Sequence, residues 1–144
     1  RIEYGVKLMA DITLPEYELV ADAANETYLF DESKPLDGTN SNWIAVRSDI
    51  SDETGESQLY NAFSGHIDGN NHTITGLRIN SISNYIGFIG FMYDGASIKN
   101  LTFVDAEVKG AAAVGVAVGV GTVVGITFFF MCNLITLSPS FIKV

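Results

Sequence analysis

The sequence predicts an all-β fold, and three observations carry that prediction. No window before residue 110 has helical periodicity. From Tyr60 onward, short β-rich runs are separated by turn residues, at Gly65, Asp68-Gly69-Asn70-Asn71, Asn80, Asn84, Asp94-Gly95 and Gly110. Three hexapeptides repeat one spacing of large apolar side chains, at their first, fourth and sixth positions: Ile74, Leu77 and Ile79; Ile98, Leu101 and Phe103; Val123, Ile126 and Phe128. They recur about every 25 residues, an interval that marks a stacked fold in which no turn buries its own apolar face without a neighbour. The expected architecture is a short right-handed parallel β-helix (a solenoid) of about four to six coils, with an irregular N-terminal cap region.

The elements follow in order. Residues 1–14 alternate Tyr4, Val6, Leu8, Ala10 and Ile12 with mostly polar partners, an opening strand that Pro15 ends. Residues 16–42 carry turn chemistry without periodicity and are expected to be irregular. Trp43-Ile44-Ala45-Val46 is predicted to be a short apolar strand, and residues 48–58 a solvated acidic loop. Two glycine-paired runs, Ile86–Phe91 and Val114–Gly119, precede the second and third hexapeptides. One coil is then a glycine-rich strand, a turn, and an apolar strand, with glycine allowing tight corners. The expected ladders, with rungs about 4.8 Å apart, are Ile74/Ile98/Val123, Leu77/Leu101/Ile126 and Ile79/Phe103/Phe128. The chain divides into residues 1–59 (strand, cap and acidic loops) and 60–144 (coils with an apolar end).

With 144 residues, 47% of them apolar, the chain has enough material for one domain with a core. A net charge of −9 argues against nucleic-acid binding, which needs a basic surface. It suits a soluble outer surface, or one that meets cations or neutral sugars. Fourteen of the seventeen acids lie at or before Asp68, and no charge occurs between Lys109 and Lys143. The single cysteine, Cys132, excludes an internal disulfide framework and reads as a small buried hydrophobe. The sequence opens on Arg1 without a signal peptide, as expected of a processed or excerpted chain.

The segment Phe63–Ile79, with its Gly-His-Ile-Asp-Gly-Asn-Asn-His core, followed by Ile86–Gly90 and Gly95–Phe103, resembles the parallel β-helix domains with GLUG-type repeats. Leu8–Ile12 and Asn42–Ile44 resemble the cap and first coil of such domains. The resemblance implies a secreted or surface-attached prokaryotic protein, adhesins among them. It weakens after Gly110, where residues match in spacing alone.

Residues 111–132 contain only Ala, Val, Gly, Ile, Phe, Met, Cys and two Thr. As a helix they would span about 33 Å, enough for a bilayer core. Gly115/Gly119 and Gly121/Gly125 give two close-contact helix spacings. The glycines and β-branched residues favour further coils instead, each interior glycine costing a helix about 1 kcal/mol. Such coils are apolar on both faces and need a cover. Val114, Val116, Val118, Val124, Phe129 and Phe130 are the expected self-association residues.

Chemistry-bearing motifs are sparse. His66, Asp68 and His72 could form an acid–base or metal site, but turn and ladder chemistry explains them. The acidic loop Asp49, Asp52, Glu53 and Glu56 lacks the fixed spacing of a calcium loop. Arg78 and Lys99 are expected on adjacent coils without an accompanying carboxylate cluster, which a lyase or glycosidase would need. Tyr85, Phe88, Phe91 and Tyr93 read as ladder core rather than a sugar-stacking strip, and Trp43 as a core plug. Asn25, Asn71 and Asn100 head N-glycosylation sequons, with Asn25 the most accessible. No catalytic residue, metal or cofactor is assigned. The expected function is a non-enzymatic extracellular or cell-surface structural or adhesive module. Its partners would be further copies, in a homo-oligomer or filament, or a surface glycan or protein. The alternatives are a carbohydrate-active enzyme on the same fold and a membrane-anchored surface domain with residues 111–137 in lipid.

Overall fold

A computed structural model describes residues 5–46, 63–82, 84–92, 95–110, 112–114, 118–120, 126–129 and 133–136. These residues are all-β. In chain order the strands are β1 (Gly5–Lys7), β2 (Ile12–Thr13), β3 (Tyr17–Asp22), β4 (Thr27–Pro35), β5 (His66–Thr75), β6 (Arg78–Asn80) and β7 (Asn84–Ile86). They continue as β8 (Ile89–Phe91), β9 (Ser97–Val104), β10 (Glu107–Gly110), β11 (Ala112–Val114), β12 (Val118–Val120), β13 (Ile126–Phe129) and β14 (Asn133–Thr136).

Apart from the β3–β4 hairpin, each of these strands pairs in parallel with a strand from another pass of the chain. One sheet runs β1-β5-β9-β13, with β2 also on β5. A second runs β14-β10-β6, and β11-β7 and β12-β8 make two more. The registers are regular: Ile74 lies beside Phe103, Ile79 beside Val108 and Ile89 beside Val118, all at one common offset along the chain. Leu101 pairs with Ile126 and Phe103 with Phe128 at a slightly shorter offset. Paired residues on neighbouring parallel strands share a face, so apolar residues stack row upon row.

The core follows from those rows. Ile67 and Ile98 pair in register, as do Ile74 and Phe103, and all four are buried. Ile79 pairs with Val108, again both buried. Leu77, Leu101 and Phe103 are at most 1% exposed, and each such side chain contributes about 1.5–3 kcal/mol through burial. Trp43 closes one side: its ring stacks on Phe88 at 4.6 Å, and Phe88 meets Phe103 edge-on at 5.6 Å. The Trp43 Nε1–H donates to the Phe88 carbonyl at 3.0 Å, which satisfies its one polar atom.

Each of the three expected ladders has a different first rung. Ile74 faces Phe103 rather than Ile98, and Ile79 faces Val108 rather than Phe103. Leu77 lies beside Ala106 rather than Leu101, since the Glu107 N–H donates to the Leu77 carbonyl. The reason is a second set with the same spacing, Phe103, Ala106 and Val108, overlapping the expected one. The small Ala106 hides it from a search for large side chains. A corner selects it: Gly76 and Asp105 both take left-handed backbone angles, φ 82° and 50°, and the Gly76 N–H donates to the Val104 carbonyl at 2.9 Å. The two corners therefore lie level. Ile98 is left to pair with Ile67. Between β9 and β13 the expected pairing holds, with Leu101 on Ile126 and Phe103 on Phe128.

A bulge keeps both rows of β5 on their partners. Between the pairs Asp68–Lys99 and His72–Leu101, Gly69, Asn70 and Asn71 oppose Asn100 alone. Asn70, Asn71 and Asn100 all take left-handed backbone angles, φ 52°, 63° and 54°, a conformation asparagine tolerates better than most residues. Gly69 packs so closely that a Cβ there would overlap the Asn100 carbonyl and lie 2.7 Å from the Leu101 Cα.

Other expectations change in detail. The opening strand is split into β1 and β2, and Trp43–Val46 is not a strand but a single bridge from Val46 to Ile89. Strands β5 and β9 run 10 and 8 residues, longer than the repeat suggests. Residues expected to be irregular form the antiparallel hairpin β3–β4, with a turn at Ala23–Glu26. Most of β4 is exposed, so no core-facing alternation marks it in the sequence.

Among the described residues, Asn42 is the buried polar side chain. Its Nδ2 donates to the Pro15 and Gly76 carbonyls at 3.0 and 2.8 Å, and its Oδ1 accepts from the Arg78 N–H at 2.7 Å. Its own N–H donates to the Arg78 carbonyl at 3.0 Å. The side chain thereby closes the free edge of β6. Ser41 adds to this closure, its Oγ accepting from the Asn80 N–H at 2.8 Å. Asn42→Ala strands two carbonyls and one N–H, and is expected to lower unfolding free energy by about 2–4 kcal/mol. Urea melts of the two proteins check this, with the midpoint falling and the slope unchanged.

Candidate functional site

Three regions carry the residues of interest, and they are separate. The first is the apolar end of the chain. Val114, Val118 and Phe129 lie in β11, β12 and β13, paired in register with Ile86, Ile89 and Val104. Val116, Val124 and Phe130 lie outside the described residues, as do Cys132, Tyr93 and the acidic loop Asp49–Glu56. The described residues within 111–137 are strands, not a transmembrane helix, and among the described residues no helix is long and apolar enough to cross a membrane. Their parallel partners in β7, β8, β9 and β10 supply backbone hydrogen bonds that an isolated helix would have to make against its own glycines.

At the opposite end, β1 and β2 pair only with β5 among the described residues. Val6 stands in register with Ile67, and Ile12 with Ile74. The register turns both side chains toward the core face. Yet Val6 is 49% exposed and Ile12 36%, against 8% and 2% for the residues beneath them. Met9, between the two strands, is 79% exposed.

The second region is the His66–His72 stretch. It does not converge on one point. His66 Nδ1 lies 2.9 Å from Ser97 Oγ on an exposed surface. Asp68 Oδ1 accepts from the Asn70 N–H at 2.9 Å and from Asn100 Nδ2 at 3.2 Å. His72 Nδ1 faces Asp11 Oδ1 at 3.1 Å. These are bulge and edge contacts, each group held by a different neighbour. Among the described residues no group of three or more His, Cys, Asp or Glu could hold a metal ion. The three sequons also differ in setting. Asn25 sits at the exposed β3–β4 turn, its Nδ2 donating to Asp22 Oδ2 at 2.7 Å. Asn71 and Asn100 belong to the β5–β9 bulge, both exposed.

The third region is not foreseen by the sequence. Arg78 does have carboxylates around it. Its Nη2 donates to Asp105 Oδ2 at 2.8 Å, and its Nη1 to the Leu77 carbonyl at 3.1 Å and to the Asp105 carbonyl. Glu107, paired with Arg78 across β6–β10, binds Lys109 at 2.8 Å. Glu16 comes over from the base of the hairpin, where its carbonyl accepts from the Leu36 N–H at 3.0 Å. Together they border an open groove of two lobes, about 340 and 520 Å³. The lobes share Glu16, Pro35, Leu36 and Arg78. The smaller extends over Asn80 and Glu107, the larger over Tyr17 and Asp105. The sequence hint is local: Arg78 and Glu107 each precede a buried apolar residue along a strand and so must point outward.

No family model matches the chain, and no solved structure matches it. A stretch of 69 residues, 46% of the chain, is 39% identical to halomucin from Haloquadratum walsbyi and covers 1% of that protein. The chain therefore spans a very small part of the curated relative it matches.

The Asp11 carboxyl is held below its ordinary value of 3.8, first by the Thr73 N–H and then by His72. Asp68 is lowered likewise by the Asn70 N–H and Asn100. A carboxylate lowered in the folded state stabilises above its unfolded pKa and loses that contribution as pH falls through the folded one. Asp11→Ala is therefore expected to melt below wild type at pH 7, with the gap closing as the pH drops below about 4. Thermal melts across pH 2–7, on the order of one unit apart, check it.

Proposed function

We propose that this chain is a non-enzymatic extracellular structural module, wound as a short right-handed parallel β-helix that joins further copies end to end. Support for the winding comes from the four parallel sheets, whose partners recur at intervals within the span of solenoid repeats, about 20–45 residues. Parallel strands joined within one sheet almost always cross over right-handed. The resemblance to GLUG-type repeats adds to this reading. Support for an outside location comes from the partial similarity to a protein named as a mucin. The acidic composition suits a surface kept soluble by charge.

The exposure of Val6 and Ile12 carries the self-association reading. They are core-facing residues left exposed at the end of the row of described residues. Covering them with another copy's strand buries apolar surface at about 25 cal/mol per Å² and pairs the outer edge of β1. The strands β11 to β14 form the other end, in the charge-free part of the chain. Contact between unlike ends is heterologous, so it builds an open filament unless the rotation closes a ring. An adhesive contact with a surface glycan or protein is compatible with the same architecture.

The test is sedimentation velocity of wild type beside Val6→Lys/Met9→Lys/Ile12→Lys. All three positions are exposed, so the fold should survive, with circular dichroism unchanged. Wild type should associate with rising concentration, and the triple variant should remain monomeric. A wild-type chain that stays monomeric at millimolar concentration overturns the self-association reading.

A further inference from the structure

We propose that the groove beside Arg78 binds a neutral saccharide. The groove is built by residues other than Val6, Met9 and Ile12, and its larger lobe borders the association surface at Thr13 of β2. Its two lobes, about 340 and 520 Å³, lie in the range of small-ligand sites.

Its walls are fixed before any ligand arrives. Pro15 and Pro35 stand where the hairpin leaves and rejoins the body, each with a locked φ. The Leu36 N–H ties the two hairpin arms together at the Glu16 carbonyl. Arg78 is held by Asp105 and the Leu77 carbonyl. A guanidinium has five N–H donors. Three are spent on those contacts, which leaves the Nε–H and one Nη2–H. Asn80 donates its Nδ2 to the Gly38 carbonyl at 2.8 Å, so its Oδ1 remains as an acceptor. Glu16 supplies two further carboxylate acceptors. Preorganised groups of this kind bind with little loss of side-chain freedom.

The charge decides the ligand class. Arg78 is paired with Asp105 and Glu107 with Lys109, which leaves the Glu16 carboxylate as the uncompensated charge of the groove. Phosphate, sulfate and uronate groups are repelled. A metal ion has no cluster of ligands here among the described residues. Hydroxyl groups suit the mixed set, since each can accept from Arg78 and donate to Glu16 or Asn80. Apolar surface from Tyr17, Pro35 and Leu36 matches the C–H faces of a pyranose ring.

Isothermal titration of the full chain with neutral tetrasaccharides of glucose, mannose, galactose and N-acetylglucosamine tests this, with tetragalacturonate as the anionic arm and Ca²⁺ as the cationic arm. At least one neutral tetrasaccharide should bind at millimolar affinity or better, and tetragalacturonate should not. Glu16→Gln and Tyr17→Ala should each weaken binding about tenfold. Neither residue is fully buried, so both variants should fold, as their spectra would confirm. The Val6→Lys/Met9→Lys/Ile12→Lys chain should bind as wild type does, which separates this site from the association surface. Binding of tetragalacturonate or Ca²⁺ alone, absence of any neutral binder, or neutral binding unchanged in both groove variants would each overturn the proposal.

Discussion

Everything in this molecule depends on the alignment of β5 with β9. That pair is the most extensive of the parallel contacts, and its rows of Ile67 with Ile98 and Ile74 with Phe103 form the centre of the core. Parallel pairing is unforgiving in this respect. A slip to the neighbouring register would turn each buried isoleucine outward. The bulge at Gly69–Asn71 solves the problem that the two strands have different lengths between their apolar positions. It absorbs the excess at one point, where asparagine and glycine tolerate the backbone required.

The class of fold is legible in the sequence because class depends on local signals. Turn residues at short intervals, β-rich runs and a recurrent apolar spacing all survive without knowledge of partners. Register does not. The repeat of large side chains sets Leu77 over Leu101, whereas the level corners at Gly76 and Asp105 bring Ala106 beside Leu77. Bulges likewise arise from the contact of two distant segments, here the close approach of Gly69 to Asn100 and Leu101. The β3–β4 hairpin is hidden for a related reason. Strand β4 is largely exposed, so burial never imposed alternation on it. Asn42 enters the sequence reading only through a resemblance, since nothing local distinguishes a buried edge-closing asparagine from one in a turn.

The groove shows the same limit from the side of function. Glu16 is remote from Arg78 along the chain and becomes its neighbour only because β2 lies on β5 and carries the hairpin base with it. Arg78 and Glu107 can be read as outward-facing, but their convergence with Asp105 and Glu16 cannot. By contrast, the three candidate residues of the Gly65–His72 stretch are close in sequence and yet serve separate neighbours. Proximity along a chain that passes repeatedly through the same place is a poor guide to proximity in space.

The amount of chain between stacked partners declines along the molecule. It is greatest from β1 and β2 to β5, about half as great from Ile74 to Phe103, and shorter again from Leu101 to Ile126. The surplus at the start includes the hairpin, whereas the later spans are too short for such an appendage. Among the described residues the molecule is consequently polar in the sense of an arrow, with the hairpin at its tail. Any array of such arrows laid nose to tail would display its decorated parts at a constant interval along its length.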